Sequence, residues 1–402
     1  MSVPDGIQLT PFDPEYYADP YRVYERLREV EPVHRDRQSL YPESWTISGY
    51  QQVRALLRHP HLSANAEEIG MRRDPRADNP VTQRPPDMMN LEGAAHRRLR
   101  SLVELAFKRS TIATLTPMIE QLMLELLDPL PAGEIDLLNR IAKPLPTMVI
   151  AKFLGFDSAD QHLLKGWTDT LLLQGYPMPT PEQWQLVVQA DKQMRSYVQQ
   201  TLQHKLAHPG SDMSSQLLAV QQADAQQLTL TEVEDLIMLL VGAGNFTTTD
   251  LISNSVLVLL SHPDWLAWLQ ADPVTRVDQV VREVLRFDGP SMVVRRFVTK
   301  QTEFDGHTFS PGSVVHLHLG AANHDPSVFE QPDVFNPTRD PQPDLAFGYG
   351  HHHCLGAQLA QLETQIVLTA LLQRYTSLNL VQAKRSKNMS FRGCSELRVV
   401  AA

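Results

Sequence analysis

The run Phe347-Gly-Tyr-Gly-His-His-His-Cys354-Leu-Gly356 decides how this 402-residue chain is read. It sets a cysteine in a glycine-opened loop and follows it at once with an amphipathic helical pattern. Backbone N–H groups at a helix start, and the positive end of the helix dipole, stabilise a sulfur anion. The local pattern therefore suits a thiolate that ligates a metal. Only two cysteines occur, Cys354 and Cys394, which excludes a thiolate-rich zinc or iron–sulfur site.

Three adjacent histidines beside a cysteine also invite a zinc reading. Adjacent histidines do not all point at one ion, however, and no second His/Cys cluster follows at finger-like spacing. A catalytic Cys–His pair is a further reading, and without context a lone cysteine is more often a buried structural residue. The neighbourhood favours a single thiolate on a macrocyclic iron. The pattern Phe-Gly-x-Gly-x-His-x-Cys-x-Gly-x-x-Leu-Ala runs from Phe347 to Ala360, eight fixed positions in fourteen residues. It resembles the cysteine loop and following helix of the cytochrome P-450 family. That resemblance implies Cys354 as the axial haem ligand, Phe347 and Gly356 beside the haem, and His352 as a donor to a haem propionate. His351 and His353 are read as incidental.

With 42% hydrophobic residues the chain buries a large core. Length alone favours two or three domains. The resemblance covers most of the chain and implies one, residues 1–402, mainly α with a minor β region in the triangular-prism P-450 fold. Met1 to Pro14 is polar, with no apolar run, so neither a signal peptide nor a membrane anchor is expected. Two unpaired-looking cysteines fit a reducing compartment, and a soluble cytoplasmic protein is expected. A net charge of −10 without any basic run argues against nucleic-acid binding.

Along the chain, the pattern predicts a helix near Tyr21–Val30 and short strands at Val33-His-Arg and Ser44–Ser48. Residues 63–90 read as a long polar loop. Helical patterns occupy 95–128 and most of 138–205, with breaks at Pro177, Pro179 and Pro181. A long apolar helix spans about 231–260, started by Thr229 or Thr231 with a following acid and stopped at His262-Pro263. Another helix spans about 275–286. Strands fill 293–320, with turns at Asp305-Gly306 and Pro311-Gly312. Residues 324–346 are proline-rich and irregular, and a last helix at 355–375 precedes a hairpin-like tail.

Other constellations gain meaning beside the cysteine loop. Glu283 and Arg286, three apart on one helix face, are alone an ordinary ion pair worth about 0.2–0.5 kcal/mol. Their place ahead of Cys354 resembles the family's buried Glu–Arg pair, which is structural, with Arg339 as a third partner. His96 and Arg100 match the family's propionate-holding pair, and Arg296 its further propionate arginine; a guanidinium donates two parallel hydrogen bonds to a carboxylate. Arg97, Arg98, Lys108 and Arg109 are expected either to be solvated or to face an acidic electron-transfer protein.

In the long helix, Ala243-Gly-Asn-Phe-Thr-Thr248 places small residues where another group approaches closely. Its plain reading is a tight helix crossing. It resembles the family's Ala-Gly-x-acid-Thr segment over the haem, making Ala243 cofactor-facing and Thr247 catalytic, together with Cys354. Phe246 stands where the family has an acid, so Asn245, ordered water or a polar group of the substrate is expected to serve the proton path. Asp250 is not read as a relocated acid. Met88, Met89, Leu239, Phe246, Ser291, Met292, Val293 and Phe391 are candidates for the substrate pocket, or plain core.

The resemblance implies a haem-thiolate monooxygenase using haem b, O2 and electrons from NAD(P)H. A separate ferredoxin or flavodoxin and its reductase would deliver them, since the chain has no flavin domain or nicotinamide fingerprint. A hydrophobic small-molecule substrate, a role in secondary metabolism and a monomeric state are expected. A P-450-type oxidase or peroxygenase performing desaturation, cyclisation or coupling is the alternative; a non-enzymatic haem-binding sensor or carrier is the third reading.

Overall fold

In a computed structural model, residues 14–36, 43–70, 87–175, 180–388 and 390–402 are described. The organising element is a helix, Leu230–Ser261, called here the central helix. It starts where local chemistry dictates. The Thr229 hydroxyl accepts from the Glu232 N–H, and the Glu232 carboxylate accepts from the Thr229 N–H, a reciprocal capping box. It stops at His262, because Pro263 cannot continue the hydrogen-bond ladder and instead starts the next helix.

By length and composition the central helix is apolar enough to cross a membrane, yet 56% of its apolar window is buried inside protein. The helices Pro144–Leu154, Gln161–Leu171, Pro181–Ala207 and Met213–Ala223 pack against it, as do Pro273–Asp288 and Ala357–Arg374. Residues such as Leu236, Ile237, Val241, Leu251 and Ile252 are fully enclosed. Burying each such side chain contributes roughly 1.5–3 kcal/mol. This all-round burial explains why the helix lacks a polar face.

The β part is small. Five strands pair in the order Val33–Asp36, Ser44–Ile47, Val314–His318, Val293–Val298 and Leu62–Ser63. The middle pair of these places Arg296 opposite Val315 and Val293 opposite His318. The tail hairpin, Leu378–Arg385 with Cys394–Ala401, takes a third strand from Gly133–Asp136. That long-range partner has no local signature.

Several boundaries differ from the sequence reading. The helical stretch expected at 95–128 is broken into Gly93–Glu104, Leu105–Phe107, Arg109–Ala113 and Thr116–Leu127, with Lys108 extended between the second and third. The region 138–205 has an added break at Gly155, whose left-handed φ of 71° closes the helix Pro144–Leu154. Of the loop expected at 63–90, residues 71–86 lie outside those described, and the rest carries short turns at Ala66–Ile69 and Met88–Asn90. Pro177 and Pro179 also fall outside the described residues.

Candidate active site

The cysteine loop is shaped by two left-handed glycines, Gly348 at φ 70° and Gly350 at φ 85°. A Cβ on Gly350 would fall 2.6 Å from Cγ of Arg58, so backbone freedom and space both require glycine there. The Cys354 N–H donates to the Phe347 carbonyl at 2.9 Å and closes the turn. Arg54 fastens the loop from outside, donating to the Tyr349 hydroxyl at 2.9 Å with its guanidinium 4.5 Å from the ring centre.

Cys354 retains open surface although it lies deep within the protein. Burial pushes its thiol pKa up, while the N–H groups of Gly356 and Ala357 and the charge of Arg100 pull it down. These N–H groups belong to the start of the helix Ala357–Arg374, as the helix-dipole argument requires. On the central helix, Ala243 is exposed while Val241 and Asn245 on either side are buried. Open surface at Ala243 and Cys354, inside packed elements, marks an interior space between helix and loop.

Around Ala243 the small residues divide their roles. A Cβ on Gly244 would sit 3.6 Å from Ile150, an ordinary close helix crossing, whereas Gly242 has nothing within 4 Å. The Thr247 hydroxyl donates to the Ala243 carbonyl at 2.9 Å, which bends no other partner into the site. Asn245 does not face the loop. Its Nδ2 donates to the hydroxyls of Thr147 and Thr168, both at 2.9 Å, on helices packed against the opposite side. The expectation that Asn245 replaces the missing acid is therefore corrected. Its amide is consumed in helix packing, and at 100° per residue it lies 200° from both Ala243 and Thr247.

Phe246 meets Phe391 edge to face, with ring centres 4.7 Å apart. Ser291 forms an isolated bridge with Phe391, so the tail and the strand entry at 291–293 close on the same spot. Asp250, one turn beyond Phe246, packs its carboxylate against Gly393, where a Cβ would come 1.7 Å from Oδ1. Burial is the main cause that raises the Asp250 pKa, to about 7, against the opposing charges of Arg385 and Lys143.

The other pocket candidates separate. Leu239 and Val293 are half-buried. Met88 is buried in the main core with Leu99 and Val103, and Met89 is 57% exposed. Met292 packs into an apolar cluster with Tyr16, Tyr24 and Leu27 and contacts Gly320. Side-chain adaptability in methionine thus serves core filling at 88 and 292.

The predicted anchoring groups gather around the loop. Arg100 Nη2 donates to the His353 carbonyl at 2.8 Å. The rings of His96 and His352 lie 4.3 Å apart. His96 is 2% exposed and its Nδ1 is buried without a hydrogen-bond partner. Arg296 is 7% exposed; burial lowers its pKa, offset by the charge of Glu92. A buried guanidinium and an orphaned imidazole nitrogen call for an anionic acceptor, which haem propionates provide. The residues fit a haem.

Glu92 was missed by sequence reading. It accepts from the Ala64 N–H at 2.7 Å and contacts Nε2 of His351 at 3.0 Å and of His352 at 3.2 Å. Burial opposes its ionisation, but the hydrogen bonds from His352 and Ala64 and the nearby imidazole charges take its pKa down to about 2. His351 is therefore not incidental, a second correction. His353 turns instead toward Phe347.

Glu283 and Arg286 form a buried two-point pair, at 2.8 and 2.9 Å, and Arg339 reaches Glu283 at 3.4 Å. Arg286 also donates to the carbonyls of Asn323 and Pro332, tying its helix to the proline-rich stretch ahead of the loop. Of the basic residues near the loop, Arg98 is engaged with Glu232 at the start of the central helix. Arg97, Lys108 and Arg109 are exposed.

A helical fold around a cysteine loop of this geometry defines a haem-thiolate oxygenase class, and the chain belongs to the cytochrome P450 family, whose model matches residues 33–394. It is similar to the biotin biosynthesis cytochrome P450 of Bacillus subtilis (strain 168), 35% identical over 401 residues, covering 96% of this chain and 97% of that protein. It is also similar to the 6-deoxyerythronolide B hydroxylase of Saccharopolyspora erythraea, 32% identical over 381 residues, covering 91% of each. Among solved structures, P450BioI in complex with an acyl carrier protein ligated to hexadec-9Z-enoic acid matches with a TM-score of 0.89 and 33% identity. That match covers 96% of this chain and 100% of the other. The protein is thus an oxidoreductase of the P450 monooxygenase type, and its family implies haem and the use of O2.

Proposed function

We propose that the chain works as one domain, residues 1–402, that holds haem b between the central helix and the Cys354 loop. In this reading it inserts one atom of O2 into a hydrophobic small molecule. The observation that carries it is Cys354, open to the interior and flanked by the N–H groups of Gly356 and Ala357. Those N–H groups hold negative charge on the sulfur. Haem, when bound, supplies the site of oxygen activation, favoured by electron density from the thiolate.

The chain's own residues then divide the work. His96, Arg100, Arg296 and His352 hold the propionates. Thr247 presents a hydroxyl one helical turn from its acceptor carbonyl, so it is positioned to pass a proton. Phe246, Phe391 and Val293 present apolar surface and exclude water. Electrons come from NAD(P)H through a separate ferredoxin or flavodoxin and its reductase, which dock near exposed Arg97, Lys108 and Arg109. A monomeric cytoplasmic enzyme of secondary metabolism accords with relatives whose names describe biotin biosynthesis and 6-deoxyerythronolide B hydroxylation. The reduced, CO-bound absorption spectrum tests the ligand: Cys354→Ala shifts the Soret band, and an unchanged position overturns the assignment.

A second reading has its own support. With Phe246 in place of an acid and Asn245 turned away, no carboxylate at position 246 relays protons to Thr247. A peroxide-driven peroxygenase, or an oxidase performing desaturation, cyclisation or coupling, needs less of that relay. Product formation with hydrogen peroxide that exceeds formation with the electron-transfer partners selects it.

A further inference from the structure

Two of the three adjacent histidines converge on one acid. His351 Nε2 lies 3.0 Å from Glu92 Oε2, and His352 Nε2 lies 3.2 Å from Glu92 Oε1. One donor atom from each of the three residues falls within 4.8 Å of the others. Nitrogen and oxygen donors bound at ~2.1 Å to a tetrahedral ion stand roughly 3.4 Å apart. The observed separations are close to that spacing, so an ion enters with small side-chain adjustments. Glu92 is held in place independently by the Ala64 N–H at 2.7 Å. The outer side stays accessible, because the side chain of His351 is 44% exposed.

From this geometry we propose that Glu92, His351 and His352 form a divalent transition-metal site at the rim of the haem pocket. Two imidazoles and a carboxylate select borderline ions such as Zn2+, Cu2+, Ni2+ or Co2+ over Mg2+ or Ca2+, which take oxygen ligands. Water completes the shell from the exposed side of His351. Charge favours the ion as well. Two propionates and Glu92 bring three carboxylates to a rim where the fixed cations are Arg100 and Arg296. The site is separate from the Cys354 assignment, since none of its ligands contacts the sulfur in the arrangement described.

Zn2+ titration of the haem-loaded protein by calorimetry tests the site. His204 and His208, four apart on one helix with rings 4.6 Å apart, form a rival surface pair, so the titration is run in a His208→Asn background. One equivalent of Zn2+ is expected to bind. His351→Asn is expected to weaken binding at least tenfold while haem content and the CO-bound spectrum stay unchanged. Glu92→Gln is expected to weaken it similarly; if that variant does not load haem, His351→Asn decides alone. Cu2+ at the site is expected to show electron paramagnetic splitting from two imidazole nitrogens. No uptake of Zn2+, or uptake equally strong in His351→Asn, overturns the proposal.

Discussion

The ring of Phe246 stands edge-on to that of Phe391 with 4.7 Å between their centres. A central-helix position that carries an acid in related sequences is here part of an aromatic pair worth about 0.5–1.5 kcal/mol beyond its buried area. The pair ties the middle of the central helix to the carboxy-terminal tail. It also places apolar surface where a proton donor would stand.

Phe246→Glu restores a carboxylate next to Thr247 and removes that pairing. The expected outcome is more product per NAD(P)H consumed, with stability reduced by about 1–3 kcal/mol. Simultaneous measurement of NAD(P)H oxidation and product checks it, and identical coupling would show the missing acid to be immaterial.

Asn245→Ala removes two hydrogen bonds to Thr147 and Thr168, whose own hydroxyls keep their donations to the carbonyls of Lys143 and Leu164. Stability should fall by about 1–3 kcal/mol. Coupling should stay at the wild-type value, because the amide points away from the loop. A change in coupling larger than that of a neutral core substitution would return Asn245 to the proton path.

Asp250 titrates differently in the folded and unfolded chain, near 7 against 3.8. Since the folded value is the higher one, its contribution to stability is fully present below about pH 4 and is lost as pH rises through about 7. Relative to wild type, Asp250→Asn should therefore gain stability between pH 4 and pH 7, on the order of 1–3 kcal/mol. Urea midpoints across that range measure it; a pH-independent difference would count against the shift.

Arg286→Ala leaves the Glu283 carboxylate buried with Arg339 as its remaining charged partner among the described residues. A loss of about 3–5 kcal/mol is expected, of the size found when one member of a buried pair is removed. Because Arg286 also holds the carbonyls of Asn323 and Pro332, haem retention should fall with it. Thermal unfolding followed at the Soret band reads both.

Much of this architecture was readable from the chain. The Thr229–Glu232 capping box and the stop at Pro263 are local chemistry, and they bound the central helix to within a residue or two. The Cys354 loop was legible because glycine conformation and cysteine chemistry coincide in one short run. What sequence concealed were choices of direction and distant pairing. Helical phase alone, applied to Ala243, Asn245 and Thr247, would have turned Asn245 away from the loop. Glu92 had no such signal: its partners His351 and His352 lie about 260 residues on. The strand Gly133–Asp136 likewise depends on a tail that folds back from the other end of the chain.

Gly393 leaves room for Asp250 by having no side chain at all. The tail therefore rests on the central helix at a point one atom deep, two residues from Phe391. A methyl group added there would act as a shim, lifting the tail and with it the aromatic ring over the apolar chamber. The volume offered to a substrate can thus be reset from behind, by a residue that never meets the substrate. Selectivity in this enzyme is adjustable at its hinge as well as at its walls.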